Sequence, residues 1–293
     1  MSTAAELRAR CAAAIDAYGG PGHFNDRPWL RETFLRVPRE HFAPERVWWH
    51  KRDADGRYPV LDRATEPGRW LEAVYTPDAP LITQIADGAV RVEDGPSASN
   101  EFTSSLSAPS VVVDMLHYLD PRPGDHILEI GTGTGYSTAL LADRIGPTRT
   151  TTVEIDDRLA AEAEERLRAL GHDLPVHVAD GEQGYAPRAP YDRLISTVGV
   201  RRIPLAWLDQ VRAGGVLVTP LDTPFGQDAL AYLECDGHGG AQGNLVTALL
   251  FMKARGQRQP VPWRTLGWPR LPDFHVTVGP AAGPAGQRIR TRP

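Results

Sequence analysis

The sequence predicts an α/β fold: a doubly wound, mostly parallel seven-stranded sheet, with an N-terminal helical and loop-rich extension and a C-terminal tail. Three observations predict it. The run His126–Ile130 is apolar apart from Glu129, lies between Pro121, Pro123 and Gly124 on one side and Gly131, Gly133 and Gly135 on the other, and suits a buried parallel strand. The following segment, Tyr136–Ile145, carries Ala139, Leu140, Ala142 and Ile145 at the spacing of a helix packed on a sheet. The alternation then recurs. Thr150–Asp156 reads as a strand, Arg158–Gly171 as a helix, Val176–Ala179 and Tyr191–Thr197 as strands, Ile203–Val211 as a helix introduced by Pro204, and Val216–Leu221 as a strand after Gly214 and Gly215. Ala229–Cys235 and Asn244–Met252 alternate like a closing antiparallel hairpin around the loop Asp236–Gly243.

The first strand-to-helix turn reads GTGTG. Glycines there permit positive φ and close ligand approach, and the helix behind offers free N–H groups. Such a turn alone is compatible with several nucleotide cofactors. Two acids narrow the choice. Glu154 ends the second strand, where a carboxylate can accept both hydroxyls of a ribose. Asp180-Gly181 follows the third, where an acid can meet an adenine amino group. Strand–glycine loop–helix, strand–Glu, strand–Asp-Gly is the order of a class I methyltransferase using S-adenosyl-L-methionine (SAM). The plainer alternative is that Glu154 and Asp180 cap the helices after them.

The chain has 293 residues, 41% of them hydrophobic and 24% charged, as in an ordinary globular protein. A net charge of −5 does not favour phosphate-rich partners. Two cysteines, Cys11 and Cys235, give no disulfide framework and fit a reducing compartment. With no apolar signal-type core near the start and no run long enough for a bilayer, a cytoplasmic protein is expected, without nucleic-acid or membrane partners. His172 and His177 form no metal-type constellation, so no metal is expected.

Around this domain, expected over 101–252, lie an extension over 1–100 and a tail over 253–293. Ala4–Ala17 reads as a helix, with Leu7, Cys11, Ala14 and Ile15 on one stripe, stopped by Gly19-Gly20-Pro21-Gly22. Trp29–Arg36 reads as a second helix, broken at Val37-Pro38-Arg39. The stretch Val47–Gly95 reads as irregular. Its Trp48, Trp49, Trp70 and Tyr75 suit either a lid or peptide-binding wall, or packing of the extension onto the main domain. Thr103, Ser104, Ser105 and Ser107 cluster before the helix Ser110–Leu119. Ser107 ahead of Pro109 suits a helix cap, and one of the hydroxyls could face the ligand. From Lys253 onward seven arginines stand against one acid, Asp273, and Gly279–Pro284 reads as disordered. Such a basic tail either holds an acidic partner or is a solvated end.

Over Ser105–Leu221 these motifs resemble the protein-L-isoaspartate (D-aspartate) O-methyltransferase family. The matching pieces are SLSAP (Ser105–Pro109), LEIGTGTGY (Leu128–Tyr136), VEID (Val153–Asp156), DGEQGYAPRAPYD (Asp180–Asp192), Ile203-Pro204 and Gln210–Pro220. VPREHFAP (Val37–Pro44) resembles the family's N-terminal signature. The resemblance implies SAM as methyl donor, S-adenosyl-L-homocysteine as product, and a peptide or protein bearing Asp or isoAsp as partner. It implies that Gly131, Thr132, Gly133 and Gly135 face the methionine part of SAM. Glu154 and Ile155 would meet its ribose, and Asp180 with Gly181 its adenine. Ser107 would be the catalytic hydroxyl beside the substrate carboxylate, with Ser105, Thr197 and Val198 also touching substrate.

The long insertion Trp48–Gln84 departs from the compact family pattern. It resembles the branch that methylates an aspartate in ribosomally made peptides, including those matured by ATP-grasp enzymes, where the ester cyclises to an aspartimide. General repair of isoaspartyl damage is the alternative. A SAM-binding module that recruits a peptide without catalysis is a third reading.

Overall fold

The computed structural model describes residues 2–18, 23–24, 26–270, 273, 275–279 and 288–292. The N-terminal part opens with helix α1 (Ala4–Ala17), started by a reciprocal cap in which Glu6 N donates to Thr3 Oγ1 and Thr3 N to Glu6 Oε2. The expected glycine stop at 19–22 lies outside the described residues. Helix α2 (Pro28–Arg36) has proline in its first turn, where a missing N–H costs nothing. The stretch read as irregular is instead ordered. Strands β1 (Arg46–Trp49) and β2 (Val60–Asp62), helix α3 (Pro67–Val74) and strand β3 (Leu81–Ile85) come from it. Strand β4 (Phe102–Leu106) completes an antiparallel four-stranded sheet of order β2-β1-β3-β4. The strands are too short to show a clear alternation, which hid them from a periodicity reading.

Three of the four noted aromatics serve packing. Trp48 and Trp70 are each 1% exposed and Tyr75 4%, and the indoles donate to Gly95 O and Pro44 O, both at 3.0 Å. They hold the small sheet and α3 together and leave the cleft-facing surface to other residues.

Helix α4 (Pro109–Leu119) leads into the large sheet. Its N-cap is Ala108 with no side-chain cap, so the expected capping role of Ser107 is not used. Strand β5 (Ile127–Ile130), helix α5 (Tyr136–Ile145), strand β6 (Thr150–Glu154), helix α6 (Asp157–Ala169), strand β7 (Val176–Val178) and strand β8 (Tyr191–Ser196) follow. Then come helix α7 (Leu205–Gln210) and strand β9 (Val211–Leu221), which begins before Gly214-Gly215 rather than after them. Strands β10 (Asp228–Cys235) and β11 (Ala241–Leu249) close the sheet. Its order is β11-β10-β9-β8-β5-β6-β7, with β10 antiparallel to both neighbours and β5 to β9 parallel.

Period-two alternation sorts β5 between two cores. Ile127 joins the cluster under α1, α2, α4 and α5, and Leu128 and Ile130 join the one with Trp207 and Leu217 on the opposite face. The chain runs β5-β6-β7 one way and returns to place β8 beside β5. Ligands of such sheets bind beyond the strand carboxyl ends at that reversal.

The segment after β11 is not a separate tail from residue 253. Lys253 bridges to Gly199, and Gln257 is 9% exposed with bonds to Arg201 N, Arg202 N and Glu182. Strands β12 (His275–Gly279) and β13 (Arg288–Arg292) pair antiparallel. Beyond Gly279, the stretch expected to be disordered lies outside the described residues.

Candidate functional site

An open cleft lies over the carboxyl ends of β5, β6 and β7. Its floor is the glycine loop. Gly131 has φ +87°, and a Cβ there would sit 2.9 Å from Thr197 Oγ1 and from Val198 Cγ1, so only glycine fits. Gly133, φ +55°, faces β4, with Ser104 Oγ 3.8 Å from where its Cβ would be. Gly135 does not face the cleft as expected. Its missing Cβ lets α5 approach α6, 3.4 Å from Ala163 Cβ and 3.5 Å from Leu167 Cγ. Thr132 spends its backbone within the protein, its N donating to Val153 O at 3.2 Å and its carbonyl accepting from Gly135 N at 2.9 Å, and its hydroxyl turns away to Thr152 Oγ1 at 2.7 Å.

Glu129, fully buried beneath the loop, accepts from Ser137 Oγ, Thr138 Oγ1 and Thr152 Oγ1, tying β5 to the start of α5 and to β6. Burial pushes its carboxyl above the usual glutamate range, against those three hydroxyl donors. The sequence shows it only as an acid in an apolar run; the hydroxyls at 137, 138 and 152 are the signal for its brace.

Glu154 stands at the cleft wall, 8% exposed. Gly133 N donates to its Oε2 at 2.9 Å, and Ile155 N and Asp156 N to its Oε1 at 2.9 and 3.1 Å. Burial raises its pKa, and the three amides oppose that. It does not cap α6; Asp156 does, accepting from Arg158 N and Leu159 N. Asp180 accepts from Glu182 N to start a short helical turn, the capping use considered for it, and it also lines the cleft. Gly181 packs under it, since a Cβ would meet Ile130 Cγ2 at 2.5 Å. Ile155 lines the cleft, 38% exposed.

The opposite wall is β4 and the residues after it. The structure sorts the four hydroxyls. Thr103 accepts from Asp87 N at 3.0 Å and donates to Gln84 Oε1 at 2.8 Å, and Ser104 accepts from Thr83 at 2.9 Å. Among the described residues the Ser105 and Ser107 hydroxyls make no hydrogen bond, and both line the cleft. Thr197 and Val198 line it too, with the Thr197 hydroxyl donating to Gly131 O and to Ile130 O. That hydroxyl braces the loop and is not left open for a ligand.

Arg39, from the VPREHFAP stretch, is a positioning residue that sequence reasoning missed. It is 0% exposed, donates to Val74 O and to Ser107 O at 2.7 Å each, and lies 5.1 Å from the Tyr136 ring centroid. It thus fixes the backbone of Ser107 against α3 and the glycine-loop helix. His177 stacks on Tyr185 at 4.0 Å, and among the described residues no cluster of three or more His, Cys, Asp or Glu is arranged to hold a metal.

The strand order, the open glycine loop and the two acids at successive strand ends define a class I SAM-dependent methyltransferase fold. The family description "Protein-L-isoaspartate(D-aspartate) O-methyltransferase" matches residues 82–259, more than half of the chain. A protein-L-isoaspartate O-methyltransferase of Methanopyrus kandleri is 42% identical over 195 residues, 66% of this chain and 68% of that protein. One of Ignicoccus hospitalis is 42% identical over 128 residues, 43% of this chain and 61% of that relative's length. A solved protein-L-isoaspartate O-methyltransferase superposes with a TM-score of 0.61 at 23% identity, covering 84% of this chain and 65% of its own. A Plasmodium falciparum structure assigned to the same activity, in complex with S-adenosyl-L-homocysteine, gives 0.59 at 14% identity over 84% and 97%. The chain belongs to the protein-L-isoaspartate(D-aspartate) O-methyltransferase family.

Proposed function

We propose that the protein is a SAM-dependent carboxyl O-methyltransferase acting on isoaspartyl or aspartyl residues of peptides and proteins. One observation carries this: an uncommitted Ser107 hydroxyl opens into the same cleft as the glycine loop and Glu154. The cleft fits the cofactor. The position of Gly131 has no room for a side chain and Gly133 has left-handed backbone, and Glu154 and Asp180 are acceptors suited to ribose hydroxyls and an adenine amino group. When bound, SAM supplies an electrophilic methyl group.

The chain's own residues need little acid–base chemistry. A substrate carboxylate is ionised at neutral pH, with a pKa of about 4, so it needs placing and not deprotonating. Ser107 orients it by donating a hydrogen bond, and Arg39 holds Ser107 through its carbonyl. Because opposite charges meet, the β4 wall and the loop also help by excluding water.

A second reading narrows the substrate to a defined aspartate in a constrained ribosomally made peptide. There, attack of the next backbone nitrogen on the ester expels methanol and leaves an aspartimide. Residues 1–81 fall outside the family match, yet they build β1 and β2 of the small sheet whose β4 walls the cleft. Mass spectrometry of SAM incubations separates the two. Methylation of a generic isoaspartyl peptide supports repair-type activity. A methyl gain and then net water loss, confined to one constrained precursor, supports tailoring.

Ser107→Ala tests the site in either case. We expect kcat to fall about 100-fold, with SAM affinity within about twofold by calorimetry. Turnover within about threefold of the parent would remove Ser107 from this role.

A further inference from the structure

The mouth of the cleft already holds a bound carboxylate, supplied by the chain itself. Asp87, in the turn after β3, meets two arginines from the segment after β11. Arg258 grips it in a fork, Nη1 to Oδ2 at 2.6 Å and Nη2 to Oδ1 at 2.9 Å, and Arg255 Nη2 reaches Oδ1 at 3.1 Å. All three line the same cleft as Ser107 and Glu154.

The arrangement is over-supplied with positive charge. Two guanidiniums offer ten N–H donors between them, and Asp87 takes three. Neither arginine is sealed away: their side chains are 40% and 35% exposed, so a second carboxylate can reach them. The arginines are also preset. Between them, Gln257 is pinned by Arg201 N, Arg202 N and Glu182, which fixes the turn that carries both. Asp87 is held less comfortably. It and Ala86 both have left-handed backbone, φ 50° and 52°, without being glycine. Strain on the occupant and rigidity in the receptor favour exchange for another carboxylate.

We propose that Arg255 and Arg258 are specificity-determining residues that receive a second carboxylate of the peptide substrate, from an acidic residue flanking the one methylated, and that Asp87 holds the place until such a peptide displaces it. This rests on the peptide-methylating reading above. It assigns the arginines after β11 a substrate-recognition role that the net charge of −5 conceals.

The test compares two labelled isoaspartyl peptides differing only in a neighbouring Glu or Gln, using the full chain loaded with S-adenosyl-L-homocysteine for binding and with SAM for turnover. The parent should prefer the Glu peptide about tenfold, mainly in KM, and less at high salt. The double variant Arg255→Ala, Arg258→Ala should bring the ratio to about one, and Arg258→Lys should keep part of it. Asp87→Asn should tighten the Glu peptide about threefold, a readout that does not depend on the double variant folding. Equal binding of both peptides by the parent overturns the proposal, and so does a preference that survives in the double variant. So does a double variant that changes S-adenosyl-L-homocysteine affinity but not the peptide ratio, because the arginines would then be a cofactor cover. A Glu preference in binding without methyl transfer would leave the receptor standing and sink the methyltransferase reading.

Discussion

The two sheets meet at one cleft but bring different chemistry to it. The seven-stranded sheet presents backbone and carboxylates: the glycine loop after β5, Glu154 after β6 and Asp180 after β7. The four-stranded sheet presents hydroxyls, at Ser105 on β4 and at Ser107 just beyond it. The first set suits a nucleoside with hydroxyls and an amino group to donate. The second suits an acceptor that must be oriented, such as a carboxylate. On the proposed function, the division gives cofactor and substrate to different layers, and Arg39 joins the Ser107 backbone to α3 beside the Tyr136 ring.

Breaking the joint should have the largest effect. Arg39→Ala strands two carbonyls and opens a void under Tyr136. We expect a loss of about 3 kcal/mol in urea unfolding, together with lower kcat. A loss below about 1 kcal/mol would show that the layers do not depend on it. Gly131→Val should injure the large sheet's side alone, weakening SAM about 100-fold by calorimetry, because its Cβ collides with Thr197 and Val198. Affinity within about threefold of the parent would contradict a ligand-facing loop. Glu154→Gln is subtler. It keeps the shape and removes the charge, so SAM affinity should fall about tenfold, while Ser107-dependent orientation persists as an unchanged pH profile of kcat.

The smallest effect sharpens the comparison by pH. The Glu129 carboxyl is raised in the folded state by burial, above its ordinary value of 4.5. The folded protein therefore holds a proton there that the unfolded chain releases. The stability linked to that proton is complete below the ordinary value and is lost as pH rises through the folded one. Glu129→Gln has no such proton to lose. Melting from pH 5 to 8 should show the variant gaining on the parent as pH rises. A constant difference would mean that Glu129 titrates normally.

The large sheet was legible because parallel strands buried on both faces are written as apolar runs, and their functional ends as Gly, Glu and Asp-Gly. Gly135 shows the limit. Its spacing matches Gly131 and Gly133, but its missing Cβ serves α6, and only the tertiary contact with Ala163 distinguishes the two uses. The small sheet was not legible. Strands of three to five residues are too short to carry a clear period, and their pairing is set by partners well along the chain. Thr197, expected to touch substrate, lines the cleft, but the use of its hydroxyl on Gly131 O depends on a turn geometry that sequence does not display. The arginines after β11 were visible as charge, and their target, Asp87, was not, because the pair spans most of the chain.

The turn at Arg255–Gln257 carries a consequence for how the molecule is made. Synthesis delivers the glycine loop, both acids and the hydroxyls well before it delivers this turn, which then locks onto Glu182, Arg201 and Arg202. A nascent chain can therefore shape most of the cofactor's seat while the ribosome still holds the piece that frames its entrance.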